Sequence, residues 1–220
     1  MTTKKTRARS PEKKEEQFNR IIEEGTKLFV TRGAYGFGIR ALARRLNMSE
    51  ANIYNYVESK RELWVAIRTK YLKQYYTELK EIIKVHQGSM VDLGVKWAEF
   101  FLNFVSTDYK RFLMMYLIPP PRSKKIGTLE KTYEPLKLME YGLNIIQKAF
   151  ELEGIKETEI TEFFYYMFGV FFGAANVEAF LRIRSKIQEP IKIESDILTS
   201  ERYRTYVLKE VRERLENLIK

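Results

Sequence analysis

The 220-residue chain has no cysteine, one histidine and six prolines. Without cysteine there is no disulfide and no thiolate zinc site, and a lone His86 cannot build a histidine metal cluster or a catalytic triad. His86 reads as an ordinary residue near a helix end. No glycine-rich phosphate loop and no paired-carboxylate motif is present, so no reaction has a visible owner. The expectation is a protein that is not an enzyme and that carries no cofactor and no metal. Strand patterns are scarce too, and glycine and proline gather at a few joints instead of recurring every ten residues, which makes the fold class all-α. The longest uncharged run, Phe163 to Val177, is 15 residues, followed at once by Glu178, Arg182 and Arg184. A membrane span needs about 20 apolar residues, so this segment is expected to be a helix buried on nearly every side, with no membrane partner. The start MTTKKTRARSPEKK has no apolar segment behind it, which argues against a secretory signal or anchor and for a cytoplasmic location.

What the sequence does have is positive charge. Lys plus Arg number 39 against 29 for Asp plus Glu, a net charge of +10. Such an excess suits polyanions, nucleic acid or an acidic membrane surface, without choosing between them. The excess is denser at the front, where residues 1–60 hold 13 basic and 7 acidic side chains.

Helix signals divide the chain. Ser10-Pro11-Glu12 offers a cap, a proline suited to the first helical position and a first-turn acid. Phe18, Ile21, Ile22, Gly25, Leu28 and Phe29 then keep the 3.6-residue period until Gly33, Gly36 and Gly38 make a loop. Leu42, Ala43 and Leu46 form a short stripe that stops at Asn47, a residue tolerant of the left-handed conformation. Ser49 caps a third helix, and Ser59-Lys60-Arg61-Glu62 has capping-box spacing ahead of a long fourth helix reaching about Val85. Two short helices joined tightly at Asn47-Met48 and buttressed on both sides form a helix-turn-helix whose second helix can enter a major groove. Ile53 and Val57 face inward, which leaves Glu50, Ala51, Asn52, Asn55 and Tyr56 outside. Arg and Asn can bond base edges in pairs, Ala can touch a thymine methyl, and Tyr can reach phosphate or sugar. Arg40 is placed to read a guanine, with Arg44, Arg45 and Lys60 where phosphates would pass. The same helix pair also occurs in α-helical proteins that bind no nucleic acid.

Residues 14–64 resemble the DNA-binding domain of the TetR family of transcriptional regulators. The likeness is carried by Phe29-x-x-x-Gly33, by Ile39-Arg40-Ala41-Leu42-Ala43, and most specifically by Ile53-Tyr54-x-x-Val57-x-x-Lys60-x-x-Leu63. The resemblance implies that Tyr54 and Lys60 hold backbone phosphates while Arg40, Glu50, Ala51 and Tyr56 lie near bases or the sugar–phosphate rim. Gly38 departs from the family's usual capping Thr or Ser, and Asn47 replaces a usual Gly. Glu50 would repel phosphate unless it accepts from a cytosine amino group or bonds within the protein.

Past Gln87-Gly88 the stripes become longer and more aromatic. The expected organisation is a basic flexible arm at 1–11, a helix-turn-helix domain at 12–60, and an effector-binding and dimerisation domain at 61–220 joined through the fourth helix. Trp97, Phe101, Phe104, Met114, Met115, Tyr133, Tyr141, Tyr165, Phe168 and Phe172 are candidates to line an apolar effector pocket, or to be plain core. Arg111, Arg122, Lys124 and Lys125 are candidates to meet an anionic head group, which suggests a fatty acyl thioester of coenzyme A. Gly169, Gly173 and Ala174 with Tyr206, Val207, Val211 and Leu215 are expected at a homodimer interface, as the resemblance implies. The resulting expectation is a repressor that binds a palindromic operator in double-stranded DNA as a homodimer and is released by a small hydrophobic effector. The alternative is a constitutive or architectural DNA-binding dimer.

Overall fold

In the computed structural model, residues 10–133, 157–184 and 199–219 are described. They form α1 (Pro11–Gly36), α2 (Ile39–Leu46), α3 (Glu50–Tyr54), α4 (Lys60–Lys84), α5 (Met90–Thr107), α6 (Tyr109–Phe112) running into a π-helical turn (Leu113–Leu117), α7 (Thr128–Thr132), α8 (Glu157–Arg184) and α9 (Ser200–Ile219). No strand occurs among the described residues. The helix ends follow the expected chemistry. Ser10 Oγ accepts from Lys13 N–H with Pro11 in the first turn, and Ser49 and Ser89 cap α3 and α5 in the same way. Gly33, at φ 68° and ψ −173°, breaks α1 before its last turn, a conformation that favours glycine.

Packing divides the chain into two compact units. The first holds residues up to Lys73 and, from further along, the π turn and α7; the second holds Gln74 to Phe112 with α8 and α9. The expected boundary at residue 60 is therefore displaced into α4. Leu63, Trp64 and Ile67 are buried in one core with Ile21, Phe29, Leu42 and Ile53, so the first half of α4 belongs to the helix-turn-helix. Trp64 meets Phe29 edge-on at 5.0 Å and Phe37 at 5.5 Å, and these rings tie α4 to α1 and to the loop before α2. Met114 is fully buried in this same core, so it is a packing residue of the first unit and does not line a separate effector domain.

A polar clasp holds α7 in the first unit. The Glu62 carboxylate, 1% exposed, accepts from the backbone N–H of Glu58 and, at 3.0 Å, of Glu130. Glu58 accepts from Thr128 N–H at 3.0 Å, and hydrogen bonds from Thr128 hold its carboxyl below the usual range. Arg61 grips Glu130 with two nitrogens at 2.7–3.1 Å. One acid just before α4 and one in its first turn thus satisfy orphan N–H groups of a short helix about 70 residues away.

In the second unit α5, α8 and α9 pack along Ala98, Phe101, Leu102, Phe164, Met167, Ala175, Ala179 and Val211. Glu178, 2% exposed, is paired with Arg182 at 2.9 Å and Arg204 at 2.7 Å, and Arg204 also donates to Asn103. Four residues expected at a dimer interface are buried within the protomer: Ala174 on α8, and Val207, Val211 and Leu215 on α9. Conversely, α8 is not buried on nearly every side. Tyr165, Tyr166, Val177, Phe180 and Ile183 are 40–58% exposed, and a Cβ added at Gly169 or Gly173 would meet nothing within 4 Å. Among the described residues, Thr161–Arg184 is the one helix long and apolar enough to cross a membrane by composition.

Gly127 sits against the clasp, where an added Cβ would lie 2.2 Å from Glu62 Oε1. Gly127→Ala, or Glu62→Gln, which turns a donor toward two N–H groups, is expected to destabilise the protein by about 1–3 kcal/mol. Denaturant unfolding measures this; a change under a few tenths would contradict the clasp.

Candidate nucleic-acid interface

The surface is built from α2, the turn and α3. Ile39, Leu42, Ala43 and Leu46 bury one face of α2, so Arg40 and Arg44 are turned to solvent. Asn47 ends α2 at φ 54° and ψ 45°, the only positive-φ residue other than glycine among those described. Its N–H bonds to Arg44 O, and Met48 N–H bonds to Ala43 O at 2.9 Å, a Schellman ending that reverses the chain within two residues. Asn47 therefore does what glycine usually does at such a turn. Ile53 is fully buried and anchors α3, which presents Glu50, Ala51, Asn52, Tyr54 and Asn55 outward together.

Not every candidate is equally free. Tyr56 is partly buried and packs against the core. Lys60 is half-buried with its ammonium 5.8 Å from the centre of the Phe37 ring, which holds it beside α2. Arg45 is occupied, since its Nε pairs with Glu24 of α1, whose carboxyl is held below the usual range by Lys27 and then Arg45. That makes it a strut between α1 and α2. Arg40 Nε lies 3.9 Å from Glu50 Oε1 with both side chains well exposed. The carboxylate at the mouth of the interface is thus balanced from within the protein, by a pair loose enough to be exchanged. The N-terminus of α2 has no side-chain cap at Gly38, whose φ of −172° suits any residue. Tyr35, at the end of α1, is fully exposed.

The other candidate sites are less gathered. Tyr141 lies outside the described residues. Tyr165 is 54% exposed, so it points away from any interior pocket. Met115 is buried and Tyr133 half-buried in the first unit. In the second, the Phe172 ring packs at a tilt against Phe112 at 4.9 Å and Phe168 at 5.4 Å, and Phe112 meets Phe101 at 5.9 Å. Trp97 faces Phe164 and Phe104 faces Tyr75. Rings packed on rings are the arrangement of a core. Among the head-group candidates, Arg111 is taken up by Asp108 at 2.7 Å, while Arg122, Lys124 and Lys125 lie exposed in the loop before α7. Sequence reasoning missed Phe37 as the ring beneath Lys60 and missed the Glu58–Glu62–Glu130 clasp, whose partners share no local pattern.

Residues 21–67 match the family model described as bacterial regulatory proteins, tetR family. No curated protein matches the sequence. The fold is similar to that of a TetR/AcrR-family transcriptional regulator from Thermobifida fusca, with a TM-score of 0.62, 15% identity, and 90% of this chain and 97% of that one covered. It is also similar to a TetR regulator from Streptomyces coelicolor, with a TM-score of 0.53, 16% identity, and 91% and 96% covered. A third likeness is to a protein from Clostridium perfringens provisionally described as a fatty acid metabolism regulator, with a TM-score of 0.57, 17% identity, and 88% and 96% covered.

Arg40→Ala is expected to relax preference at one base pair of each half-site by about 1–3 kcal/mol, whereas Lys60→Ala weakens all sequences alike. Affinities for a panel of single-base operator variants separate the two effects, and uniform weakening by Arg40→Ala would remove its reading role. Gly38→Ser adds the missing cap without a clash and is expected to stabilise by about 0.5–1 kcal/mol. An unchanged or lower melting temperature would contradict this.

Proposed function

We propose that this chain, a TetR-family regulator by its DNA-binding domain and its fold, is a repressor that binds a palindromic operator as a homodimer and is released by a hydrophobic effector. Proteins of this family are regulators, not enzymes. The observation that carries the reading is the joint outward presentation of Arg40, Arg44, Ala51, Asn52, Tyr54 and Asn55 on two short helices fixed by the Asn47 turn. A duplex groove accepts such a surface, and its basic flanks suit phosphate. The protein works where the DNA is, in the cytoplasm.

Dimerisation is supported by the exposed stripe of α8. Tyr166, Gly169, Gly173, Val177 and Phe180 recur three or four residues apart and carry no charge, with Tyr206 exposed on α9. Apolar area of this extent, with two glycines allowing close backbone approach, is what a second copy would cover. Two recognition surfaces held by one dyad read an inverted repeat. The effector reading rests on the likeness to the provisionally described fatty acid metabolism regulator. An acyl compound fits it, as the coenzyme A thioester or as the free acid, with Arg122, Lys124 and Lys125 the exposed cations for a phosphorylated head. Helix α4 supplies linkage: it contributes Trp64 and Ile67 to the DNA-binding core and continues into the second unit. An effector that favours one arrangement of the two readers lowers DNA affinity by its preference.

Fluorescence anisotropy with an operator duplex at rising salt is expected to give a log–log slope of roughly −4 or steeper, from two protomers each neutralising at least two phosphates. Sedimentation is expected to show a dimer that Gly173→Glu converts to a folded monomer with weakened operator binding. A flat salt response would remove the DNA reading, and a monomeric wild type would remove the dimer.

A further inference from the structure

Between the π turn and α7 the chain runs Pro119-Pro120-Pro121-Arg122-Ser123-Lys124-Lys125-Ile126-Gly127. Both ends of this loop are fastened to the core that carries the reading helices. Before it, Met114 is fully buried in that core and Ile118 packs against it; after it, Leu129 and Tyr133 pack there too. Three consecutive prolines limit how the backbone bends between these anchors. The Ser123 hydroxyl donates to Lys125 O at 2.8 Å and accepts from Lys125 N–H at 3.4 Å, which folds Lys124 and Lys125 into one turn. A charged loop held in this way loses little freedom on binding.

The charge on the loop is unbalanced. Residues 122–131 hold four basic side chains and one acid, Glu130. The acids of the clasp are already engaged: Glu130 is gripped by Arg61, Glu58 takes Thr128 N–H, and Glu62 is buried beneath Gly127. Arg122, Lys124, Lys125 and Lys131 all lie exposed, and no ion pair engages them among the described residues.

Position decides what such a patch meets. The clasp ties the loop to the end of α4 that carries Lys60, the candidate phosphate ligand beside α2. Backbone reach of about 3.5 Å per residue, taken through the Glu58–Thr128 bond, keeps Lys125 within roughly 30 Å of Lys60. One turn of duplex is about 34–36 Å long. A duplex held at Lys60 therefore carries further phosphates within one turn, in the range of Lys124 and Lys125. A phosphorylated effector head is the other candidate for these cations, and continuity with the reading surface favours the duplex.

The geometry points to the loop at 122–125 as a second phosphate-binding element, outside the helix-turn-helix, that grips the duplex backbone beside the half-site. The inference rests on the DNA reading above and adds a contact to it. Ammonium groups on phosphate carry no base information, so the loop raises affinity for every sequence alike and widens the footprint without adding specificity.

The test compares the wild type, Lys124→Gln/Lys125→Gln, and Lys80→Gln/Lys84→Gln, which removes the same charge from exposed positions in the second unit. Each full-length protein is titrated against a duplex that the wild type has selected from a random pool, at rising salt and with phosphate ethylation interference. The loop variant is expected to bind at least fivefold more weakly at low salt, with a log–log slope shallower by about 2, from one phosphate or more lost per protomer, and with unchanged half-site preference. The ethylation pattern of the wild type is expected to include phosphates that remain in Lys60→Ala and disappear in the loop variant. A wild-type slope and pattern in the loop variant, an equal loss in the second-unit variant, or release of DNA by free coenzyme A that the loop variant no longer shows would each overturn the loop contact while leaving the DNA reading standing. A pool in which the wild type selects no duplex would overturn both.

Discussion

Three rings fix the candidate DNA-reading surface. Trp64 of α4 meets Phe29 of α1 and Phe37 of the loop before α2 edge-on, and Phe37 carries Lys60 over its face. Edge-to-face contacts constrain angle as well as distance, so the directions of α1, α2 and α4 are set together. The short helices need this. Neither α2, with eight residues, nor α3, with five, would hold a helical conformation alone. Their exposed side chains keep a fixed spacing because Leu42, Leu46, Ile53 and Val57 are clamped in the same core.

The clasp at α7 extends the constraint. Glu58 just before α4, and Arg61 and Glu62 in its first turn next to Lys60, hold Thr128 and Glu130. A displacement of α7 would therefore act on the residue next to a candidate phosphate ligand without passing through α2 or α3.

Local patterns were legible in the sequence. Ser10-Pro11, Asn47, Ser49, Ser59 and Ser89 marked helix ends because capping depends on a few adjacent residues, and the inward Ile53 followed from the 3.6-residue period. The outward placement of Asn52 and Asn55 followed from the same periodicity, which also put Tyr56 outside where it is partly buried, while Tyr54 came from the family resemblance. What was not legible depended on distant partners. Nothing near Glu62 names Glu130, and nothing near Arg45 names Glu24. Val211 and Tyr206 look alike in an apolar pattern, yet one is core and the other exposed, since the pattern gives a helix two apolar faces without saying which neighbour takes each. Met114 went to the wrong unit for a related reason: chain order suggested the effector domain, while packing returns that segment to the first core.

The proposed regulator depends on a paired surface that reads an inverted repeat in duplex DNA. Selection from a random-sequence duplex pool by the purified protein, followed by sequencing of the bound fraction, tests this most directly. The expected result is enrichment of two inverted half-sites at one fixed separation. A bound pool indistinguishable from the input, or enriched for a single half-site with no partner, would contradict it.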